Sequence, residues 1–390
     1  MNKHVFIVLL CLYLITALGL VIYTYSQIDL NLTLFSFPSY QNVQKQLILL
    51  GYFNRPLSTL LFLLIISMAF LLYAFILKLC ASGKIKSKYL YAAIIAVSVF
   101  SVFSYPAFSH DIFNYMFDAR IVTKYGQNPY LFKAQDFPDD LWTRFMHWTH
   151  RTYPYGPLWI FLTLPFSYLG FEKFVLTLFN FKVMFLIFHL GNVYLIGKIT
   201  KSVAATAFYA FNPLVIIESV VSPHNESVML FFLLAAFYFR QIKNTLLFLI
   251  TLIASGLVKY VTFILMPLFV LSSVVKKIQQ KVLYQTVFIL LLIAVFYLST
   301  QRETYPWYFV TMIGVGSLIP SNSTKLMLVF LSFGLLLRYA PYLYAGSYPP
   351  WVGQMQNQLL VIPVLFSAVL IILYRSKLLV RGDTGRSSRL

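Results

Sequence analysis

Residues 57–79 read LSTLLFLLIISMAFLLYAFILKL, twenty-three positions with one charge, Lys78, at the far end. A run of that length and polarity suits a helix across a bilayer, which takes ~20 apolar residues. In hydrocarbon each backbone N–H and C=O must be satisfied within the segment itself, so the run is helical. It has many companions. The chain is 60% hydrophobic, 18% aromatic and 11% charged, with a mean hydropathy of +0.78. No soluble domain of 390 residues hides that much apolar surface.

The net charge of +19 would point to nucleic acid in a soluble protein. Its distribution here points elsewhere. Lys84, Lys86 and Lys88, then Arg240 and Lys243, then Lys276, Lys277 and Lys281 recur between apolar runs, and Arg375, Lys377, Arg381, Arg386 and Arg389 close the chain. That is the pattern of cytoplasmic loops, so no nucleic-acid partner is expected. Cys11 and Cys80 both lie in apolar runs and match no metal or redox spacing. The first run has no small-residue cleavage site and reads as an uncleaved anchor.

With the amino terminus inside, the basic loops select one threading. Spans fall near 4–25, 57–79, 89–108, 173–197, 203–217, 227–239, 245–258, 260–275, 282–299, 307–319, 325–343 and 358–374. The expected fold is therefore all-α: a polytopic transmembrane bundle of about 12 spans in one integral-membrane domain, 1–390, ending in a polar cytoplasmic tail at 381–390. Several central spans are short and must tilt or dip. The apolar run 157–170 is expected to lie in the interface or to dip in and return.

Ten of the eleven acidic residues then fall on the outer side: Asp29, Asp111, Asp118, Asp136, Asp139, Asp140, Glu172, Glu218, Glu226 and Glu303. Only Asp383 is inside. Lys and Arg alone chose the threading, so the acids are a partly independent check on it. They also place the polar face outside, on a long loop at 109–172 and on shorter turns.

Four constellations on that face carry chemistry. Ser109-His110-Asp111 opens the long loop, and Ile112, Tyr115, Met116, Ala119 and Val122 follow at helical spacing. They predict an amphipathic helix lying in the interface. Asp111 caps that helix or, at the membrane surface, acts as a general base on a hydroxyl. Tyr115 stands one turn on. Tyr153-Pro154-Tyr155-Gly156-Pro157 makes a rigid turn, either an interfacial aromatic anchor or a floor for a sugar or phosphate. Glu218 and Ser222-Pro223-His224-Asn225-Glu226 gather carboxylates, imidazole and amide in an apolar setting, where a site is the default reading and a helix cap the alternative. His224 and Glu226 alone do not define a metal site. Lys259 interrupts an apolar stretch, where it snorkels to water or meets a phosphate. Arg302, Arg338 and Lys182 are further cations of this kind.

The ordered set Asp111…Tyr115, Asn128-Pro129-Tyr130, Tyr153-Pro154-Tyr155-Gly156-Pro157-Leu158, Asn212-Pro213…Glu218…His224-Asn225-Glu226, Lys259 and Pro306-Trp307-Tyr308 resembles the GT-C superfamily of polytopic glycosyltransferases. The resemblance extends over about 100–310 and is nearest to bacterial polyprenol-phosphate-mannose-dependent mannosyltransferases of the mycobacterial lipoglycan type. It implies that Asp111 is the catalytic base of an inverting transfer from polyprenyl phosphate. It also implies that Lys259 and Arg302 meet the leaving phosphate. His110, Tyr115, Tyr153, Tyr155, Glu218, His224, Asn225 and Glu226 are expected to bind substrate. Relatives often carry Asp where this chain has Glu226.

The expected activity is transfer of a sugar, plausibly mannose, to an extracytoplasmic glycan or glycolipid at the outer face of the plasma membrane. The partners are then the lipid-linked donor, the acceptor and membrane lipid. No cofactor is expected, and a divalent metal is left open. The alternative is a transporter or flippase of lipid-linked saccharides. Transporters usually show repeated halves and midplane charges, whereas this chain shows no repeat and groups its acids at one surface.

Overall fold

A computed structural model of the chain describes residues 3–83, 85, 87–274 and 279–384. Of the basic clusters, Lys84, Lys86, Lys276, Lys277, Arg386 and Arg389 lie outside the described residues. Among the described residues the regular structure is helical throughout, with no strand.

The amino-terminal helices are α1 (Lys3–Thr24), α2 (Pro38–Ile48), α3 (Arg55–Ala81) and α4 (Ser87–Val102). A short helix, α5 (Asp111–Thr123), leads into an irregular loop and α6 (Pro157–Tyr168). The central helices are α7 (Phe174–Thr200), α8 (Val203–Ala210), α9 (Pro213–Ile216), α10 (Glu226–Gln241), α11 (Thr245–Val258) and α12 (Met266–Val274). The last are α13 (Gln280–Gln301), α14 (Phe309–Ser317), α15 (Asn322–Leu337), α16 (Tyr339–Ala345) and α17 (Pro350–Thr384).

Six stretches among the described residues are long and apolar enough to cross a membrane: Val5–Gln27, Arg55–Ala81, Phe174–Thr200, Gln280–Gln301, Asn322–Ala345 and Pro350–Leu373. A bent pair, Val203–Ala210 with Pro213–Val221, makes up to seven. The other expected spans are helices too, but shorter, such as Ser87–Val102 and Thr245–Val258. Some of the short helices serve the protein interior, since all of α14 and most of α10 are buried, whereas Leu246, Ile250 and Ile253 of α11 are exposed. Helix α6 has 12 residues and so measures about 18 Å, well short of a ~30 Å hydrocarbon layer. The outward apolar surface is wide. Leu60, Leu64 and Leu71 of α3, Ile289, Ile293 and Phe296 of α13, and Ile362, Leu365 and Ile372 of α17 are exposed. In water such a surface would drive association; in lipid it is the ordinary exterior. The chain is a membrane protein.

Helix α5 departs from expectation. It does not show one apolar face to lipid. Ile112, Phe113, Tyr115, Met116, Phe117, Ala119 and Ile121 are all buried, because α6 and α7 pack against it and the loop 128–155 folds over it. Its apolar residues join Trp159, Phe181, Phe185 and Val258 in a second core beside the main one. Helix α7 runs through both cores, so it fixes the second against the membrane bundle.

The bent pair has a local cause. Pro213 has no N–H to continue α8, and the Asn212 side chain takes the freed Leu214 N–H at 3.0 Å. The amide of Asn212 is buried and donates to Ser332 Oγ at 3.1 Å. Past α9 the chain widens into a π-helical turn, Ile217–Val221, a feature that often marks functional sites.

Candidate functional site

Three chain segments meet where the two cores touch: 104–111 leading into α5, the π-helical turn with its exit at 222–226, and 305–308 before α14. Hydrogen bonds hold the first two together. Lys182 on α7 donates to Ser104 Oγ at 2.8 Å and to Val221 O at 2.6 Å. Phe108 N–H donates to Ser222 Oγ at 3.1 Å. His224 Nε2 and Ser109 Oγ are 3.0 Å apart.

Lys182 is 1% exposed, and no carboxylate stands within ion-pair distance among the described residues. An amine in that position is costly and calls for a role. Here it clamps the last carbonyl of the π turn to the segment that carries Asp111. Lys182→Met is expected to lower kcat on the order of 10²-fold through displaced geometry. Stability should change little, because the lost hydrogen bonds oppose relief from a buried amine. Steady-state kinetics beside a thermal melt check this; an unaltered kcat would make the clamp purely structural.

The links set up a chain of ionisable groups. Asp111, in the first turn of α5, has Oδ2 3.8 Å from His224 Nε2. On the other side of the ring, His224 Nδ1 is 3.2 Å from Glu218 Oε2, off the line of a straight hydrogen bond. Glu218 Oε1 accepts from Tyr339 O–H at 2.8 Å. His224 and Glu218 are both 0% exposed, and the Asp111 side chain 13%. Trp307 stacks on the imidazole at 4.1 Å and 11°, and Tyr305 stacks on Trp307 at 4.4 Å and 9°.

Burial works against an imidazolium at His224, but the adjoining Glu218 carboxylate, then Asp111 and Glu226, outweigh it and hold its pKa above the ordinary histidine value. A raised pKa contributes stability that is full below about 6.5 and is lost as pH rises through the folded value. The melting temperature should therefore fall as pH is raised above about 6.5, and His224→Gln should flatten that slope. Thermal melts across this range measure it.

The remaining expected residues divide. Glu226, at the start of α10, pairs with Lys259 through Oε1, and the Lys259 ammonium lies 5.3 Å from the Tyr308 ring centre. Asn225 is buried, and among the described residues neither its Oδ1 nor its Nδ2 has a partner; Glu226 Oε2 and Thr311 Oγ1 are likewise unpartnered there. Tyr115 and Tyr155 meet edge to face at 5.6 Å, as do Tyr155 and Tyr153. The turn bearing the two tyrosines docks beside Lys259: Gly156 N–H donates to Val258 O at 3.3 Å. A Cβ at Gly156 would come within 2.0 Å of Leu257 O, so glycine alone permits this approach.

His110 turns away from this group. It contacts Asp29 at 3.1 Å and its ring lies 4.1 Å from that of His147, tying the segment after α1 to the long loop. Arg302 is exposed at the end of α13 and stands apart from the buried chain. Arg338 has a structural partner, Asn357 Oδ1 at 3.0 Å.

Sequence reasoning did not assign Tyr339 or Trp307 to the site. Tyr339 lies 121 positions from Glu218, and no local signal links them. Trp307 belongs to the quoted Pro306-Trp307-Tyr308 motif, so it had a signal. Among the described residues no three His, Cys, Asp or Glu side chains converge as metal ligands.

A buried carboxylate–imidazole–carboxylate chain carried by an apolar helical body defines a membrane protein built for chemistry or recognition of polar groups. A family model, MptA_B family, described as alpha-(1->6)-mannopyranosyltransferase, N-terminal domain, matches residues 32–275, and the chain belongs to that family. The match bears out the resemblance to GT-C mannosyltransferases and supports glycosyl transfer of mannose. It takes in Asp111, Glu218, His224, Glu226 and Lys259 but stops before Trp307 and Tyr339. No curated protein and no solved structure matches the chain.

Proposed function

We propose that this chain transfers a mannosyl unit from a polyprenyl-phosphate donor to a hydroxyl of an extracytoplasmic glycan or glycolipid, with Asp111 as general base, at the outer face of the plasma membrane. In the single displacement, Asp111 takes the proton of the acceptor hydroxyl as its oxygen bonds to the anomeric carbon. The bond from that carbon to the phosphate oxygen breaks, and polyprenyl phosphate leaves with the electron pair. His224, held by Glu218 and stacked on Trp307, orients the Asp111 carboxylate.

One observation carries this reading: the polar chain adjoins an apolar groove with a cation at its head. The groove is lined by Met229, Val261, Leu291, Ala294, Val295 and Leu298, with Glu226, Lys259, Tyr308 and Thr311 at its polar end. Its walls suit an isoprenoid chain and its head a phosphate. The unpartnered atoms of Asn225, Glu226 and Thr311 suit a ligand rich in hydroxyls, since buried polar groups are otherwise paired. Arg302, one turn beyond Leu298 along α13, supplies a second positive charge near the exit for the leaving phosphate.

The test is transfer by the purified protein in liposomes, offered labelled polyprenyl-phosphate-mannose or a labelled nucleotide-mannose, with a short alkyl mannoside acceptor. Label is expected to reach the acceptor from the lipid donor alone. Transfer from the nucleotide sugar, with none from the lipid, would overturn the donor assignment.

A further inference from the structure

The polar residues of α5 fall into two sets. Arg120 is fully satisfied: its Nε donates to Asp140 Oδ2 at 2.7 Å and its guanidinium lies over Trp142 at 4.0 Å. Asp111, Asn114 and Asp118 are different. Asp118 is half-buried and makes no hydrogen bond or ion pair among the described residues, and the buried Oδ1 of Asn114 has no partner. Seven residues advance a helix by about 10 Å and nearly two full turns, so Asp118 stands almost directly in line with Asp111. Asn114 lies between them, about 60° to one side. The result is a stripe of side-chain oxygens along one face of α5, of which Asp111 meets His224 while Asn114 Oδ1 and Asp118 have no partner among the described residues.

The flanks of the stripe are built for a sugar. On one side stand the Tyr115, Tyr155 and Tyr153 rings, and Tyr130 adds a fourth at 5.0 Å from Tyr153. Arg151, two positions before Tyr153, has no carboxylate within ion-pair distance among the described residues; it rests over Trp148 at 4.8 Å, and its charge reaches both Asp118 and Tyr155. Burial pushes the Asp118 carboxyl up to about 7, with Arg151 opposing the rise and Asp111 adding to it. Near neutral pH that group both donates and accepts, as vicinal hydroxyls require. Glu226 and Lys259, at the head of the apolar groove, stand beside the turn that carries Tyr155.

We propose that Asp118, Asn114 and Arg151, with the Tyr155 ring, form an acceptor subsite for a manno-oligosaccharide lying along α5. The sugar that carries the attacking hydroxyl sits at Asp111, and the next sugar of the chain hydrogen-bonds to Asp118. This rests on the reading of the chain as a mannosyltransferase and adds where its acceptor lies.

The experiment compares alkyl mono- and α-(1->6)-dimannosides as acceptors for wild type, Asp118→Ala and Asp118→Asn in liposomes. Losing a charged hydrogen bond should raise KM for the dimannoside about tenfold or more in the alanine variant. KM for the monomannoside and for the lipid donor should not move, and the asparagine variant should fall between. Equal effects on both acceptors, or no effect, with wild-type transfer intact, overturn the subsite and leave the activity standing. Saturation-transfer NMR of the dimannoside on the full-length protein without donor reads the subsite independently. A saturation signal that is present with wild type and absent with Asp118→Ala supports it even where transfer fails. No signal with wild type overturns it. A thermal melt of each variant separates loss of fold from loss of binding.

Discussion

Asp111→Asn is expected to lower kcat on the order of 10³-fold, the usual weight of a general base, with the fold unchanged. The substitution conserves volume at a side chain whose ion-pair partner among the described residues is His224, 3.8 Å away. The backbone N–H of Asp111 keeps Ser109 Oγ, at 3.3 Å, as its acceptor. Donor and acceptor KM should stay near wild type, because the amide occupies the same space. The removed charge is one of those holding up the His224 pKa, so that value should also fall in the variant. Kinetics in liposomes beside a tryptophan-fluorescence melt measure both. An unchanged kcat would remove Asp111 as base and leave Glu218 and Glu226 to be tested in its place.

Lys259→Met is expected to act on stability and on transfer together. Glu226 is 3% exposed at its side chain, and stripping its cation leaves a buried carboxylate alone. Breaking such a pair costs roughly 3 kcal/mol. Donor binding should weaken as well, since the phosphate would lose its cation. The double variant Glu226→Gln with Lys259→Met separates the two effects, because it removes the uncompensated charge. It should recover most of the melting temperature while transfer stays impaired. Recovery of both would make the pair a structural contact with no part in binding phosphate.

Hydropathy locates the helices but not their surroundings. The run at 57–79 and the segments near 173–197 and 282–299 form long helices because their apolar lengths match a bilayer. The runs at 245–258 and 307–319 are equally apolar, yet the second is covered by protein on all sides. A window of sequence cannot tell a helix wrapped by protein from one wrapped by lipid, since both are made of Leu, Ile, Val and Phe. Helix α5 departs from its expected place for the same reason: its apolar spacing is real, but α6, α7 and a distant loop cover the face assigned to lipid.

The site is legible in the sequence as residue types and not as partners. Asp111, Glu218, His224, Glu226 and Lys259 stand out as polar groups in apolar surroundings, which carries a cost that chance seldom sustains. Their pairing does not stand out, because Lys259 and Glu226 are 33 positions apart and His224 and Ser109 are 115 apart. Lys182 is visible as a cation in a span, but its partners are a backbone carbonyl and a serine, which leave no charge pattern to read. Arg302 has the right residue type and lies outside the buried chain, at the exposed end of α13.

The most direct test of the account is the anomeric configuration of the product. Purified wild type is given a polyprenyl-phosphate-mannose of defined configuration, and the new glycosidic bond is assigned from its one-bond carbon–proton coupling by NMR. A single displacement with Asp111 as base predicts inversion at the anomeric carbon. Retention would require two displacements through a sugar bonded to the enzyme, and would contradict the role given to Asp111 here.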